Sequence, residues 1–169
     1  MPGGSRSRWG WYPLTDSAAR RIVADAGLAP GELVVDIGAG TGALTAPLVA
    51  AGTRVLAVEL HARRASALEA RFEADDVRVL RVSVDELRLP QRPFRVVANP
   101  PFAHSSALVR RLLDSRLTRA DLVVPVQVAQ RWAGRRPDRC SYRRLPRKAF
   151  RPEAPVPAAV LTITRPRRR

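Results

Sequence analysis

Leu33-Val34-Val35-Asp36-Ile37-Gly38-Ala39-Gly40-Thr41-Gly42 is the stretch on which the fold turns. Its first half is short, apolar and rich in β-branched residues, as a strand buried on both faces must be. Its second half sets three glycines at alternate positions, which lets the backbone turn sharply and approach a ligand closely. A strand feeding a glycine-rich turn at a helix N-terminus is a nucleotide-cofactor site. The G-x-G-x-G spacing is tighter than the G-x-G-x-x-G of dinucleotide binders, and no Gly-Lys-Ser/Thr of a P-loop follows. Asp36, just ahead of the glycines, suits a zwitterionic ligand carrying an ammonium group. Taken alone, the pattern also fits a generic turn.

The same alternation continues outward. Upstream, Thr15 or Asp16 can cap a helix carrying Ala19, Ile22, Val23 and Ala26, with Gly27 as its stop. Downstream, a helix runs to about Ala51, where Pro47 predicts a kink or a late start. A second strand, Arg54 to Val58, ends at Glu59, and 61–72 is helical. A third strand covers 77–82 and a fourth is Phe94-Arg95-Val96-Val97-Ala98. Ser105 or Ser106 caps a helix to about Leu113. A fifth strand covers 122–126 and a short helix 128–133. Residues 134–148 are basic and irregular, with a sixth strand near Tyr142, and 159–163 is the last strand. Strands alternating with helices mean an α/β protein whose sheet is mostly parallel, with right-handed crossovers. We divide the chain into a basic, aromatic arm (1–13), one domain (14–165) and a basic tail (166–169).

In an open parallel sheet the carboxyl ends of the strands share one edge, so the residues just past them converge. Glu59 stands where acidic residues pair with ribose hydroxyls; a solvated strand-end carboxylate is the plain alternative. Ser83 and Asp85 follow the third strand and can face the cofactor's adenine amino group, or simply water. Asn99-Pro100-Pro101-Phe102 ends the fourth strand. An amide carbonyl acceptor, a stiff Pro-Pro turn and a π-face suit gripping a flat, amino-bearing group while its nitrogen is alkylated. An ordinary strand-ending turn has the same outline.

Charge adds a partner. Thirty basic residues oppose fifteen acidic ones, a net of +15, and Lys148 is the single lysine. From Arg131 to Arg169, thirteen basic residues face only Asp138 and Glu153. Such a segment repels itself unless a polyanion is near, which points to nucleic acid. An anionic membrane surface is the rival, but the region shows no amphipathic helix with a large apolar face. No apolar stretch approaches the roughly 20 residues of a membrane span. One cysteine, Cys140, excludes an internal disulfide, and His61 and His104 are too few for a Cys/His metal site. A cytoplasmic monomer is expected.

DIGAGTGALT (36–45), Glu59 and NPPF (99–102) together resemble the motifs of S-adenosylmethionine-dependent adenine-N6 methyltransferases of ribosomal RNA. Residues 92–102, Gln127 with Arg131-Trp132-Ala133, and Leu145-Pro146-Arg147 with Ala149-Phe150 and Pro152 are similar to the Erm macrolide-resistance branch. The resemblance runs from about Trp9 to Ile163. It implies a Rossmann-like class I fold, a seven-stranded, mostly parallel sheet with helices on both faces. S-adenosyl-L-methionine is the implied cofactor and 23S rRNA the implied partner, with resistance to macrolide-type drugs as the consequence. Gly38, Gly40 and Gly42 would line the methionine part, with Asp36 beside them, and Glu59 would hold the ribose. Asn99 and the Pro100 carbonyl would hold N6 of the target, and Phe102 would stack on the flipped adenine. By position, Tyr12 and Leu14 would touch the cofactor. No metal is required.

Three departures bear on this reading. The family places an aspartate where Ser83 stands, and Asp85 lies two residues later. Its N-terminal Gln-Asn-Phe is replaced by Trp9-Gly10-Trp11-Tyr12-Pro13-Leu14. The C-terminal helical domain is expected to be absent, which would leave Arg135, Arg136, Arg143, Arg144, Arg147 and Lys148 to bind RNA and would loosen target choice. Two further readings remain. One is N-methylation of another planar group, a DNA adenine or a protein glutamine, against which the flanking motifs argue. The other is a basic RNA-binding protein with a decayed cofactor site, which the Ser83 departure favours.

Overall fold

Thr15 starts the first helix, α1 (Asp16–Ala26): its hydroxyl accepts the Ala18 N–H at 3.3 Å, and left-handed Gly27 ends the helix. This computed structural model describes residues 10–166. Trp9, most of the proposed arm and residues 167–169 of the tail lie outside the described residues. After α1 come β1 (Leu33–Ile37), α2 (Thr45–Ala50), β2 (Arg54–Val58), α3 (Ala62–Arg71) and β3 (Val77–Leu80). The second half adds β4 (Phe94–Ala98), α4 (Ser105–Leu113), β5 (Leu117–Pro125), α5 (Val126–Arg135), β6 (Cys140–Leu145) and β7 (Ala158–Thr164).

The strands form one sheet in the order β3-β2-β1-β4-β5-β7-β6. The first five are parallel, and β7 runs antiparallel between β5 and β6. The chain winds outward from β1 to β3 and then crosses back to β4, so the strand order reverses between β1 and β4. Ligands of such sheets bind in the crevice at that reversal.

Each central strand buries both faces. Phe94, Val96 and Ala98 of β4 pack with Leu108, Leu112 and Trp132 of α4 and α5. Val97, with Val34 and Ala57, packs with Ile22, Leu48 and Leu68 of α1, α2 and α3. Helices therefore cover both faces. Arg95 is the charged exception within β4; its guanidinium donates to the Ala26 carbonyl and pairs with Glu32 at 3.4 Å.

The boundaries differ from expectation in instructive places. Pro47 marks a late start, not a kink: α2 begins at Thr45, so the missing N–H falls in a first turn that has no intrahelical partner anyway. Neither Ser105 nor Ser106 caps α4. The helix grows directly out of a 3-10 turn at Phe102–His104, and Ser105 is already inside it. β3 stops at Leu80. β5 begins at Leu117 because Arg119 and Asp121 neutralise each other at 2.9 Å within the strand.

Candidate active site

The glycine turn is knitted to its neighbours by backbone. The Gly38 and Ala39 N–H groups both donate to the Val58 carbonyl, at 2.8 and 2.9 Å, tying the end of β1 to the end of β2. A Cβ on Gly38 would come within 3.2 Å of Pro100 Cα and Pro101 Cδ. No larger residue allows the first turn to rest so directly on the Asn-Pro-Pro turn. A Cβ on Gly40 would come within 2.8 Å of the Trp11 ring, so that ring lies directly against this glycine.

Glu59 is buried and hydrogen-bonded through both carboxylate oxygens. Its Oε2 accepts the Gly40 N–H at 2.8 Å, and its Oε1 accepts from the His61 N–H at 2.9 Å and from Arg64 Nε at 3.2 Å. The Arg64 guanidinium in turn lies over the Trp11 ring, 4.7 Å from its centroid. Asp36 is only 1% exposed. Its Oδ2 accepts from the Thr45 hydroxyl at 2.7 Å, while its Oδ1 is buried with no partner. Burial pushes the Asp36 carboxyl up to about 7; the Thr45 hydrogen bond pulls it down and the Glu59 charge pushes it further up.

Two cavities share Trp11 and Gly38 in their walls. The smaller, about 110 Å³, is lined by Leu14, Asp36, Gly38, Thr41 and Asn99. The larger, about 610 Å³, is lined by Gly38, Glu59, His61, Arg64, Ser83 and His104. These dimensions and groups fit S-adenosyl-L-methionine. The orphaned Asp36 Oδ1 is free to accept from an ammonium group, the glycines leave room for close approach, and the wall of the larger cavity holds an acid and a serine suited to a nucleoside.

Asn99 is held by its amide. Nδ2 donates to the Tyr12 carbonyl at 2.7 Å, which commits the N–H side to the protein and keeps Oδ1 as acceptor. Tyr12 itself packs on Phe102, with ring centroids 5.2 Å apart. It lines neither cavity, whereas its neighbours Trp11 and Leu14 do. Ser83 lines the larger cavity and bonds Glu86. Asp85 turns outward, 66% exposed, and pairs with His104 at 3.3 Å. Arg111 of α4 donates to the Val84 and Leu87 carbonyls, which fixes this loop against the helix that follows the Pro-Pro turn.

The six basic residues singled out for RNA do not share one place. Parallel β5 and β6 both end at the site edge, where Leu145 pairs Ala158 opposite Pro125. Arg143, Arg144, Arg147 and Lys148 lie at or just past that end. Helix α5 starts at the same edge and runs back, so Arg135 and Arg136 sit at the far edge, where Arg136 pairs with Asp138. Arg64 and Arg111 carry no sequence signal of their own; their partners are set by the fold. Cys140 is buried away from this edge. Among the described residues no group of three or more His, Cys, Asp or Glu could hold a metal ion, and no helix is long and apolar enough to cross a membrane.

Comparison with known proteins agrees with this layout. A Ribosomal RNA small subunit methyltransferase A of Synechococcus sp. (strain RCC307) is 38% identical over 146 residues, 78% of this chain and 53% of that protein. An rRNA adenine N-6-methyltransferase of Corynebacterium diphtheriae is 32% identical over 145 residues, 78% of this chain and 57% of that protein. The chain thus spans about half the length of these relatives. The crystal structure of the 23S rRNA methyltransferase ErmE superposes with a TM-score of 0.80 at 23% identity, covering 91% of this chain and 70% of that one, which establishes the fold. The profile of the Ribosomal RNA adenine dimethylase family matches residues 7–160, and the chain belongs to that family.

Proposed function

We propose that this chain transfers a methyl group from S-adenosyl-L-methionine to N6 of an adenine in ribosomal RNA, and that the target lies in 23S rRNA. The observation that carries the reading is Asn99. Its N–H is fixed on the Tyr12 carbonyl, and its own carbonyl is left to accept beside the glycine turn.

Adenine N6 is a poor nucleophile because its lone pair is delocalised into the ring. Asn99 Oδ1 and the Pro100 carbonyl accept its two hydrogens, which favours tetrahedral geometry and frees the lone pair. When bound, the cofactor supplies an electrophilic sulfonium methyl. Gly38, packed on Pro100 and Pro101, sets the distance between the two halves of the site, so that in-line approach is a matter of position. After transfer the methylated N6 is cationic and gives up one proton to water, which restores the neutral amine. Phe102 offers a face to the base that has left its stack, worth roughly 1–3 kcal/mol. Arg143, Arg144, Arg147 and Lys148 hold the RNA backbone beside the site. An rRNA substrate would place this work in the cytoplasm.

The 23S assignment rests on the Erm-like motifs and makes macrolide tolerance the expected phenotype. The relative named for the small subunit favours a second reading, an adenine of 16S rRNA. Incubating the protein with labelled cofactor and each rRNA, followed by primer extension, separates them. Methylation of a 23S adenine, lost in Asn99→Ala, is the expected result. Modification confined to 16S rRNA moves the assignment to the second reading, and no transfer to either ends both.

A further inference from the structure

We propose that Arg71 is the carboxylate anchor of the cofactor's amino-acid end, acting opposite Asp36. The proposal rests on the methyl-transfer reading and names a residue for it that neither the glycine turn nor the Asn-Pro-Pro-Phe turn contains.

The smaller cavity has walls of opposite sign. Asp36 Oδ1 is buried there without a partner, and Asp16 stands at the same cavity. Arg71 is the one cationic side chain among the described residues that line it. Arg71 is the last residue of α3, and it reaches back over the glycine turn. One Nη1 N–H donates to the Thr41 carbonyl at 2.8 Å, and the guanidinium lies 5.0 Å from the Phe72 ring centroid. Phe72 is buried against Gly42, so the guanidinium rests on a fixed platform. A guanidinium has five N–H donors in a planar fork, and Thr41 accepts one. The fork suits a carboxylate bidentately.

An α-amino acid presents an ammonium and a carboxylate on one carbon. A cavity with a buried acid on one wall and an arginine on the other recognises both. Asp36 alone would take any ammonium; the pair selects a zwitterion. Arg71 would then fix the methionine tail along the glycine turn and leave the nucleoside to the larger cavity.

Calorimetry with three probes tests this. S-adenosylhomocysteine carries both charges, decarboxylated S-adenosylmethionine lacks the carboxylate, and methylthioadenosine lacks the whole amino-acid end. Arg71→Gln should weaken S-adenosylhomocysteine by about 10-fold to 100-fold, the range for a charge-assisted hydrogen bond. The other two probes should bind it as they bind the unaltered protein, and Arg71→Lys should recover part of the loss. Equal binding of S-adenosylhomocysteine to both proteins overturns the proposal. So does an equal loss of all three probes, because Arg71 would then be supporting the glycine turn and not the ligand. If the unaltered protein binds none of the probes, the methyl-transfer reading falls and takes the proposal with it. That outcome differs from the first two, in which the unaltered protein binds.

Discussion

Two clefts flank the segment 13–18, and they call for opposite charges. On one side lies the small cavity, with Asp16 and Asp36 in its wall. On the other lies a cleft of about 650 Å³ between α1 and the end of β6, lined by Arg21, Arg143, Arg144 and Lys148. The segment between is stitched to the basic side by backbone: Thr15 N–H donates to the Ala149 carbonyl at 2.8 Å, and Arg151 N–H to the Pro13 carbonyl at 3.0 Å. In a chain of net charge +15, Asp36 of the small cavity is buried, whereas Arg21, Arg143, Arg144 and Lys148 of the wider cleft are exposed. Composition therefore reflects the exposed basic cleft and conceals the buried acid. The two sides should also fail independently.

Asn99→Ala should fail hardest. Under the proposed mechanism it removes an acceptor that acts on the reacting amine, so methyl transfer should fall on the order of 10²-fold to 10³-fold, the scale seen when one positioned polar group is removed from a reacting centre. Binding of rRNA by filter retention should stay within about twofold, because the basic cleft does not include it. If RNA binding falls as far as transfer does, the two clefts are one site and the separation is wrong.

Asp36 gives the next effect, and its sign can be worked out. Burial raises its carboxyl from 3.8 to about 7, so below pH 7 the group is neutral and offers an incoming ammonium no charge. Affinity for S-adenosylhomocysteine should rise with pH by up to about tenfold per unit until pH 7 and then level off. Folding runs the other way. The unfolded carboxyl titrates near 3.8, so the penalty of burying its charge is absent below that pH, grows as pH rises, and is fully present above about 7. Asp36→Asn should flatten both curves, read by calorimetry and by urea unfolding at pH 5, 6, 7 and 8. An unchanged binding profile in the variant would remove Asp36 from the ligand's ammonium.

How legible the molecule is in its sequence follows from where each interaction arises. The buried strands announce themselves, since Val34-Val35 and Val96-Val97-Ala98 have no other use for such runs. β6 hardly does. Residues 141–144 are exposed on an edge strand, so the strand has no apolar period and is held by its ladder to β7. The first half of β5 is hidden by Arg119 and Asp121, whose charges cancel only after folding. At the site, the glycines, Glu59 and Asn99 are legible because a backbone turn or a strand end fixes them. Arg64 and Arg111 are not, because a helical side chain reaching a loop carbonyl or a strand-end acid leaves no spacing rule. By sequence Asp85 can face a cofactor or simply water; in the structure it is exposed, bonds His104 and does not line the larger cavity.

The smallest effect tests the basic side on its own terms. Arg144 and Lys148 line the cleft at the site edge, while Arg135 and Arg136 sit at the opposite edge of the sheet. Removing one cation that touches a phosphate should reduce the slope of log affinity against log salt by roughly 0.7 to 0.9. The double change Arg144→Ala with Lys148→Ala should therefore flatten that slope by about 1.5 and weaken rRNA binding several-fold at moderate salt, with methyl transfer at saturating RNA little altered. Arg135→Ala with Arg136→Ala removes the same formal charge from the far edge and should leave the slope within error. Long-range attraction cannot tell the two pairs apart, because net charge falls equally in both. Only direct phosphate pairing can. Equal weakening from both pairs would mean that RNA wraps both edges of the sheet, and that the direction of α5, which separates the two pairs in space, does not decide what binds.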